Sequence, residues 1–198
     1  MLDFSVKPTL VGDRAVLRPV TTADVPGLID LVTDPEGRRL TGTQAAVNES
    51  ALHTWYATRA EHAERLDLAV LDRATGEYAG EVVLNELDAP NRACSFRIAL
   101  RAAHRDRGLG TDAARLVLEH AFQAVGLHRI ALQVYTFNPR ARAVYERVGF
   151  QAEGVLRDAL LWDGDFVDAV TMSVLAPDWA THRGRPAELS TTDTAHRL

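Results

Sequence analysis

The chain changes rhythm across one short basic loop, Arg105-Asp-Arg107-Gly108-Leu-Gly110-Thr111. Just upstream of it, from Leu66 to Leu100, apolar and polar residues follow the short pattern of β-strands. Downstream, apolar residues first recur at helical spacing. Strands gathered before such a switch, with helices and strands interleaved after it, restrict the chain to an α/β arrangement. At 198 residues it suits one domain with a continuous core.

Three upstream segments read as strands: Leu66 to Leu71, Tyr78 to Leu84 and Ala93 to Leu100. Ala74-Thr-Gly76 and Asp88-Ala-Pro-Asn91 join them, turns short enough for antiparallel hairpins. In the third strand Cys94, Phe96, Ile98 and Leu100 alternate with Ser95 and Arg97, leaving one apolar face. Earlier still, Ala15 to Val20 reads as a strand, and Thr22-Ala-Asp24 starts a helix carrying Val25, Leu28, Leu31 and Val32. Pro35 to Gln44 shows no periodicity and reads as a loop. Ser50 is placed to cap a further helix in which Leu52, Trp55, Tyr56 and Ala63 share a face.

After the loop, Gly110 to Val125 predicts a helix with Ala114, Val117, Leu118 and Ala121 on one side, closed by Gly126. A strand, Ile130 to Tyr135, precedes a helix opened by Asn138 as cap and Pro139 at its first position. Ala141, Val144, Tyr145 and Val148 line one side of that helix, and Gly149 ends it. A hairpin follows, Val155 to Trp162 and Phe166 to Leu175, joined through Asp163-Gly164-Asp165. From Pro177 onward the residues are polar and aperiodic, so a domain over 1–176 and a flexible tail over 177–198 are expected.

A loop entering a helix through two glycines can bring backbone N–H groups and the positive end of a helix dipole against a pyrophosphate. Arg105 and Arg107 add charged donors. The same residues in isolation also serve merely to turn a chain. GxGxxG and GxxxxGK[ST] patterns are not met here.

Arg105-x-x-Gly108-x-Gly110 resembles the acyl-CoA signature [QR]-x-x-G-x-[GA] of the GNAT superfamily of N-acetyltransferases. Asn138-Pro-Arg-Ala141-Arg-Ala-Val-Tyr145-Glu-Arg-Val-Gly149-Phe150 resembles its second signature, N-x-x-[AS]-x-x-x-Y-x-x-x-G-F. The likeness spans about Ala15 to Leu175. It is nearest in pattern to ribosomal-protein N-terminal acetyltransferases and spermidine acetyltransferases, through Arg92-Ala-Cys-Ser-Phe96-Arg-Ile98, Gly154-Val-Leu-Arg-Asp158 and Asp168-Ala-Val-Thr-Met172-Ser.

The resemblance implies a single GNAT-type domain, a mixed, mostly antiparallel sheet flanked by helices and splayed between the strand ending at Leu100 and the strand Ile130 to Tyr135. It implies acetyl-CoA as acyl donor, its pantetheine arm paired with the edge near Ile98 and Leu100. Arg105, Arg107, Gly108, Leu109, Gly110 and Thr111 then form the phosphate loop, and Asn138 reaches the same arm besides capping its helix. It further implies that Tyr145 serves the departing sulfur; without the signature, Tyr145 reads as one more apolar-face residue. Glu86 is the first candidate for the base, from the acidic residue that spermidine-type relatives carry in this hairpin, with Glu81 and Asp163 behind it. The acceptor is an amine of a peptide N-terminus, a polyamine or a small molecule. A non-catalytic CoA-binding sensor on the same fold is the alternative.

A net charge of -5 argues against sequence-independent nucleic-acid binding, which needs clustered Lys and Arg. The single cysteine, Cys94, excludes an internal disulfide and reads as a packed residue. The histidines fall on separate elements and imply no metal; His104 reads as a loop histidine, solvated or touching a phosphate. No apolar run suits a bilayer, and Met1 to Asp13 lacks a basic and an apolar leader region, so no membrane partner and a cytoplasmic location are expected. A homodimer is compatible with the residue pattern, which does not demand one.

Overall fold

The computed structural model describes residues 2–183. Two short strands, β1 (Leu10–Val11) and β2 (Ala15–Pro19), lead into helices α1 (Val25–Thr33), α2 (Pro35–Thr41) and α3 (Glu49–Thr58). Strands β3 (Leu66–Asp72), β4 (Tyr78–Asp88) and β5 (Ala93–Leu100) follow, then α4 (Leu109–Glu119), β6 (Arg129–Tyr135) and α5 (Pro139–Arg147). The long hairpin β7 (Gln151–Trp162) and β8 (Asp165–Leu175) and the helix α6 (Ala176–Arg183) complete the described chain.

All eight strands form one sheet in the order β1-β2-β3-β4-β5-β6-β8-β7. Every neighbouring pair is antiparallel except β5 and β6. That parallel pair is joined at Ala93–Arg129, Cys94–Ile130 and Ser95–Ala131 only. Beyond these rungs β5 stays with β4 as far as Leu100–Gly80, and β6 stays with β8 as far as Tyr135–Ala169. Each strand is held by its outer neighbour, so the sheet opens as a V between them.

Strand alternation sends side chains to opposite faces. On one face Leu66, Leu68, Val82, Leu84, Cys94, Phe96, Ile130 and Leu132 meet Leu109, Ala113, Val117 and Leu118 of α4, the main core. On the other face Val25, Leu28 and Leu31 of α1 and Tyr56 of α3 pack with Ala69. Cys94 is a buried free thiol, and burial pushes it up to about 12, in keeping with a packing residue.

Three sequence expectations are corrected. Pro35 to Thr41 is helical rather than a loop: Asp34 accepts from Gly37 N at 2.9 Å, Pro35 takes the first turn, and Gly42 closes the helix at φ 64°. The stretch is too short for periodicity to appear, yet both end signals are present. The cap of α3 is Asn48, accepting from Ala51 N, rather than Ser50; Trp55 is 46% exposed, and Ala63 lies beyond the helix. Residues 177–183 of the expected tail belong to α6, because Trp179 is buried with its ring 5.3 Å from that of Phe122. Residues 184–198 of that tail lie outside the described residues.

If α6 is an integral part of the core, Trp179→Ala costs stability through the lost aromatic contact and the cavity left, by about 3 kcal/mol. Urea unfolding with an unchanged slope reads this; an unmoved midpoint would return 177–183 to the status of a tail.

Candidate active site

A cleft of about 1000 Å³ occupies the V between β5 and β6. Its walls come from both faces of the sheet. Leu31, Leu40 and Thr41 close one side, the loop Arg105–Gly110 one mouth, and α5 the other side.

The loop is built on left-handed backbone. Asp106 has φ 60° and Gly108 φ 79°, and a Cβ on Gly108 would meet the Arg14 side chain at 3.0 Å. Gly108 then leads straight into α4, whose hydrogen-bond ladder begins with Asp112 N donating to Gly108 O. The N–H groups of Leu109, Gly110 and Thr111 therefore precede the first intrahelical bond and point out of the helix end. They lie where the helix dipole is positive.

Arg105 does not add the free charge expected of it. Its side chain is 10% exposed, Nε donates to Leu100 O at 3.0 Å, and its guanidinium pairs with Asp34 at 2.5 Å and Glu36 at 2.7 Å. All its donors face α2 and the end of β5, so its role here is to tie the loop to both. Arg107 sits 2.8 Å from buried Asp72, and Arg140 of α5 pairs with Asp106 at 2.8 Å. His104 is buried rather than solvated or facing a ligand; its Nε2 lies 3.5 Å from Glu77.

On α5, Asn138 Oδ1 accepts from Ala141 N at 3.1 Å and fixes the start of the helix. Two turns on, Tyr145 is buried among Phe96, at 6.0 Å and nearly perpendicular, and Phe150, at 5.9 Å. Burial pushes its hydroxyl up to about 12, so it is protonated throughout the neutral range. Asn138 and Tyr145 both line the cleft, as do Ile98 and Leu100.

The carboxylates separate by environment. Glu86 stands at φ 53° in an irregularity of β4, is exposed, and accepts from Ser95 Oγ at 2.6 Å. Asp163 is in the β7–β8 turn, away from the cleft. Glu81, opposite Ala99 in the β4–β5 ladder, accepts from Tyr56 OH at 2.6 Å. Desolvation raises its carboxyl above the ordinary range and Asp67 adds to this, while the Tyr56 bond, Arg97 and Arg65 work against it. Tyr145 approaches from the α4 face and Glu81 from the α1–α3 face; the parted strands put both in one cleft.

Pattern reading also missed an assembly on that second face. Arg129 binds Glu153 through both nitrogens, at 2.7 and 2.5 Å, and Ser173 Oγ donates to the same carboxylate at 2.7 Å, holding Glu153 down to about 2. These residues come from β6, β7 and β8, so only their register joins them.

A family model described as an acetyltransferase (GNAT) domain matches residues 14–151. YdaF of Bacillus subtilis strain 168, provisionally named a ribosomal N-acetyltransferase, is 28% identical over 174 residues, covering 85% of this chain and 95% of its own. Spermidine N(1)-acetyltransferase of Escherichia coli K12 is 28% identical over 120 residues, covering 61% of this chain and 64% of its own. Among solved structures, spermidine N-acetyltransferase from Vibrio cholerae in complex with CoA and spermine superposes with a TM-score of 0.79 at 23% identity, covering 84% of this chain and 98% of that one. Likeness at that identity establishes the fold.

The Arg105 ion pairs give a measurable expectation. Arg105→Met leaves Asp34 without its charged partner and lowers stability by about 2 kcal/mol. In a double-mutant cycle with Asp34→Asn the coupling is at least about 1 kcal/mol. Additive effects would mean that the pair contributes nothing.

Proposed function

The chain belongs to the GNAT acetyltransferase family, and from that premise we propose that the V between β5 and β6 receives acetyl-CoA and that Glu81 and Tyr145 serve transfer of its acetyl group to an amine. The observation that carries this reading is the single cleft joining an open helix N-terminus, two unpaired strand edges and a buried tyrosine.

The residues fit the donor. The pyrophosphate suits the outward N–H groups of Leu109, Gly110 and Thr111, and Gly108 supplies the left-handed turn that precedes them, where a Cβ would press on Arg14. The backbone of β5 beyond Ser95, with Ile98 and Leu100, offers an edge to which an extended pantetheine arm can add. Asn138 lines the path of that arm. The Vibrio cholerae relative in complex with CoA supports this choice of donor.

When bound, the thioester supplies an activated acetyl group. The attacking amine forms the new C–N bond, the C–S bond breaks, and the amine proton passes to Glu81. Tyr145 faces the departing sulfur. With its hydroxyl near 12, full proton transfer to a thiolate of pKa about 8.5 would be uphill by about 3.5 units, or about 5 kcal/mol. A hydrogen bond that strengthens as sulfur gains charge avoids that cost, so Tyr145 acts as a donor. Glu81 replaces Glu86 as the base, because desolvation raises its carboxyl above the ordinary range and so makes its carboxylate the stronger base. Glu86 also lines the cleft, but it is exposed.

Thiol release from acetyl-CoA with an amine panel tests this. Tyr145→Phe lowers kcat at least about tenfold with acetyl-CoA affinity nearly unchanged. Since Glu81 must be ionised to act, the rate falls as pH drops through its raised pKa, and Glu81→Gln removes that acid limb together with at least about tenfold of the rate. Retention of the limb in the variant would assign it to another group. Gly108→Val weakens acetyl-CoA binding by strain at φ 79° and by crowding Arg14, which together shift the loop; unaltered affinity would move the phosphates elsewhere.

A further inference from the structure

Several charges around the cleft are paired, and Arg97, on the acceptor side, is among those that are not. Arg105 is held by Asp34 and Glu36, Arg129 by Glu153, and Arg140 by Asp106. Arg38 donates to the carbonyls of Val32 and Ala45. Arg147 also has a free guanidinium, but it stands at the far end of α5, on the α4 side of the sheet.

Arg97 differs. Strand alternation places it opposite Cys94 and Phe96, on the face that carries Glu81. It is exposed and makes no hydrogen bond or ion pair with any described residue. It lines the main cleft and also a side pocket of about 220 Å³, and Glu81 lines both as well. Leu28, Val32, Leu52, Trp55 and Val83 give the pocket an apolar wall, and Tyr56 and the Arg65–Asp67 ion pair line the rest of it. Its volume equals that of about seven waters at about 30 Å³ each, enough for a medium side chain.

An uncommitted guanidinium beside the base, with an apolar recess at the same junction, makes a three-point pattern. We infer that the acceptor is a small amine of the α-amino-acid type: its amine at Glu81, its carboxylate on Arg97, and its apolar side chain in the recess. This rests on the acetyl-transfer reading of the same cleft. A carboxylate suits the planar fork of Arg97, which can bind it through two parallel hydrogen bonds. A polyamine would bring its further positive charge to Arg97, with Glu153 already neutralised by Arg129; Glu86, which lines the same cleft and keeps its charge, makes spermidine the competing acceptor to test.

The test measures thiol release from acetyl-CoA with L-phenylalanine, its carboxamide and spermidine. The carboxamide mimics a peptide N-terminal residue and holds more unprotonated amine at neutral pH, so preference for the acid cannot arise from amine basicity. We expect kcat/KM for the acid to exceed the other two at least about tenfold, since a site built for a polar group rejects analogues lacking it. Arg97→Gln should reduce the acid-to-carboxamide ratio at least about tenfold, mainly through KM, with acetyl-CoA affinity checking the fold of the variant. Wild-type preference for spermidine or the carboxamide overturns the inference, as does an Arg97→Gln variant that loses all three acceptors equally. Acetyl-CoA binding without turnover of any of the three also overturns it. Failure to bind acetyl-CoA would instead remove the acetyl-transfer reading itself.

Discussion

The parting of two parallel strands governs this molecule. β5 and β6 share three rungs and then diverge, each still bonded along its length to an antiparallel neighbour. Unpaired backbone edges inside a protein are costly unless something meets them. Here they border a cleft, where water or an extended ligand can satisfy them. The divergence also removes the barrier that a closed sheet would set between its faces. A tyrosine from the α4 side and a glutamate from the α1–α3 side therefore line one cleft.

Ion pairs then set the dimensions of that cleft. Arg105 fastens the loop before α4 to the N-terminus of α2 and to the end of β5. Since α2 supplies Leu40 and Thr41 to the opposite wall, the separation of that wall from the loop before α4 depends on one buried guanidinium. Arg140 and Asp106 tie the same loop to α5, and Arg129, Glu153 and Ser173 fix the register of the last strands. Most charges near the cleft are thereby neutralised. Among the described residues, Glu81 and Arg97 in the cleft have no ion-pair partner.

Much of the fold was legible because its signals are local. Alternation marked β3 to β5, helical spacing marked α4, and Asn138-Pro139 marked the start of α5 with the cap that the structure shows. Where the reading went astray, the deciding contact was distant or the segment short. α2 has seven residues, too few for a period to emerge, and the stretch after Pro177 is polar except for the tryptophan that anchors it on Phe122.

The sequence by itself determined where most strands and the long helices lie, which glycines turn the loop before α4, and which two signatures carry the family likeness, since these depend on residues a few positions apart. Only the tertiary structure decided which side chains remain free to act. Arg105 and Arg97 look alike in sequence, yet three acceptors from α2 and β5 occupy the first and none the second. Glu81 and Glu86 lie five positions apart on one strand, yet one is desolvated beneath α3 and the other stands in water. Burial and pairing are set by what folds on top, and neither is written in the residue itself.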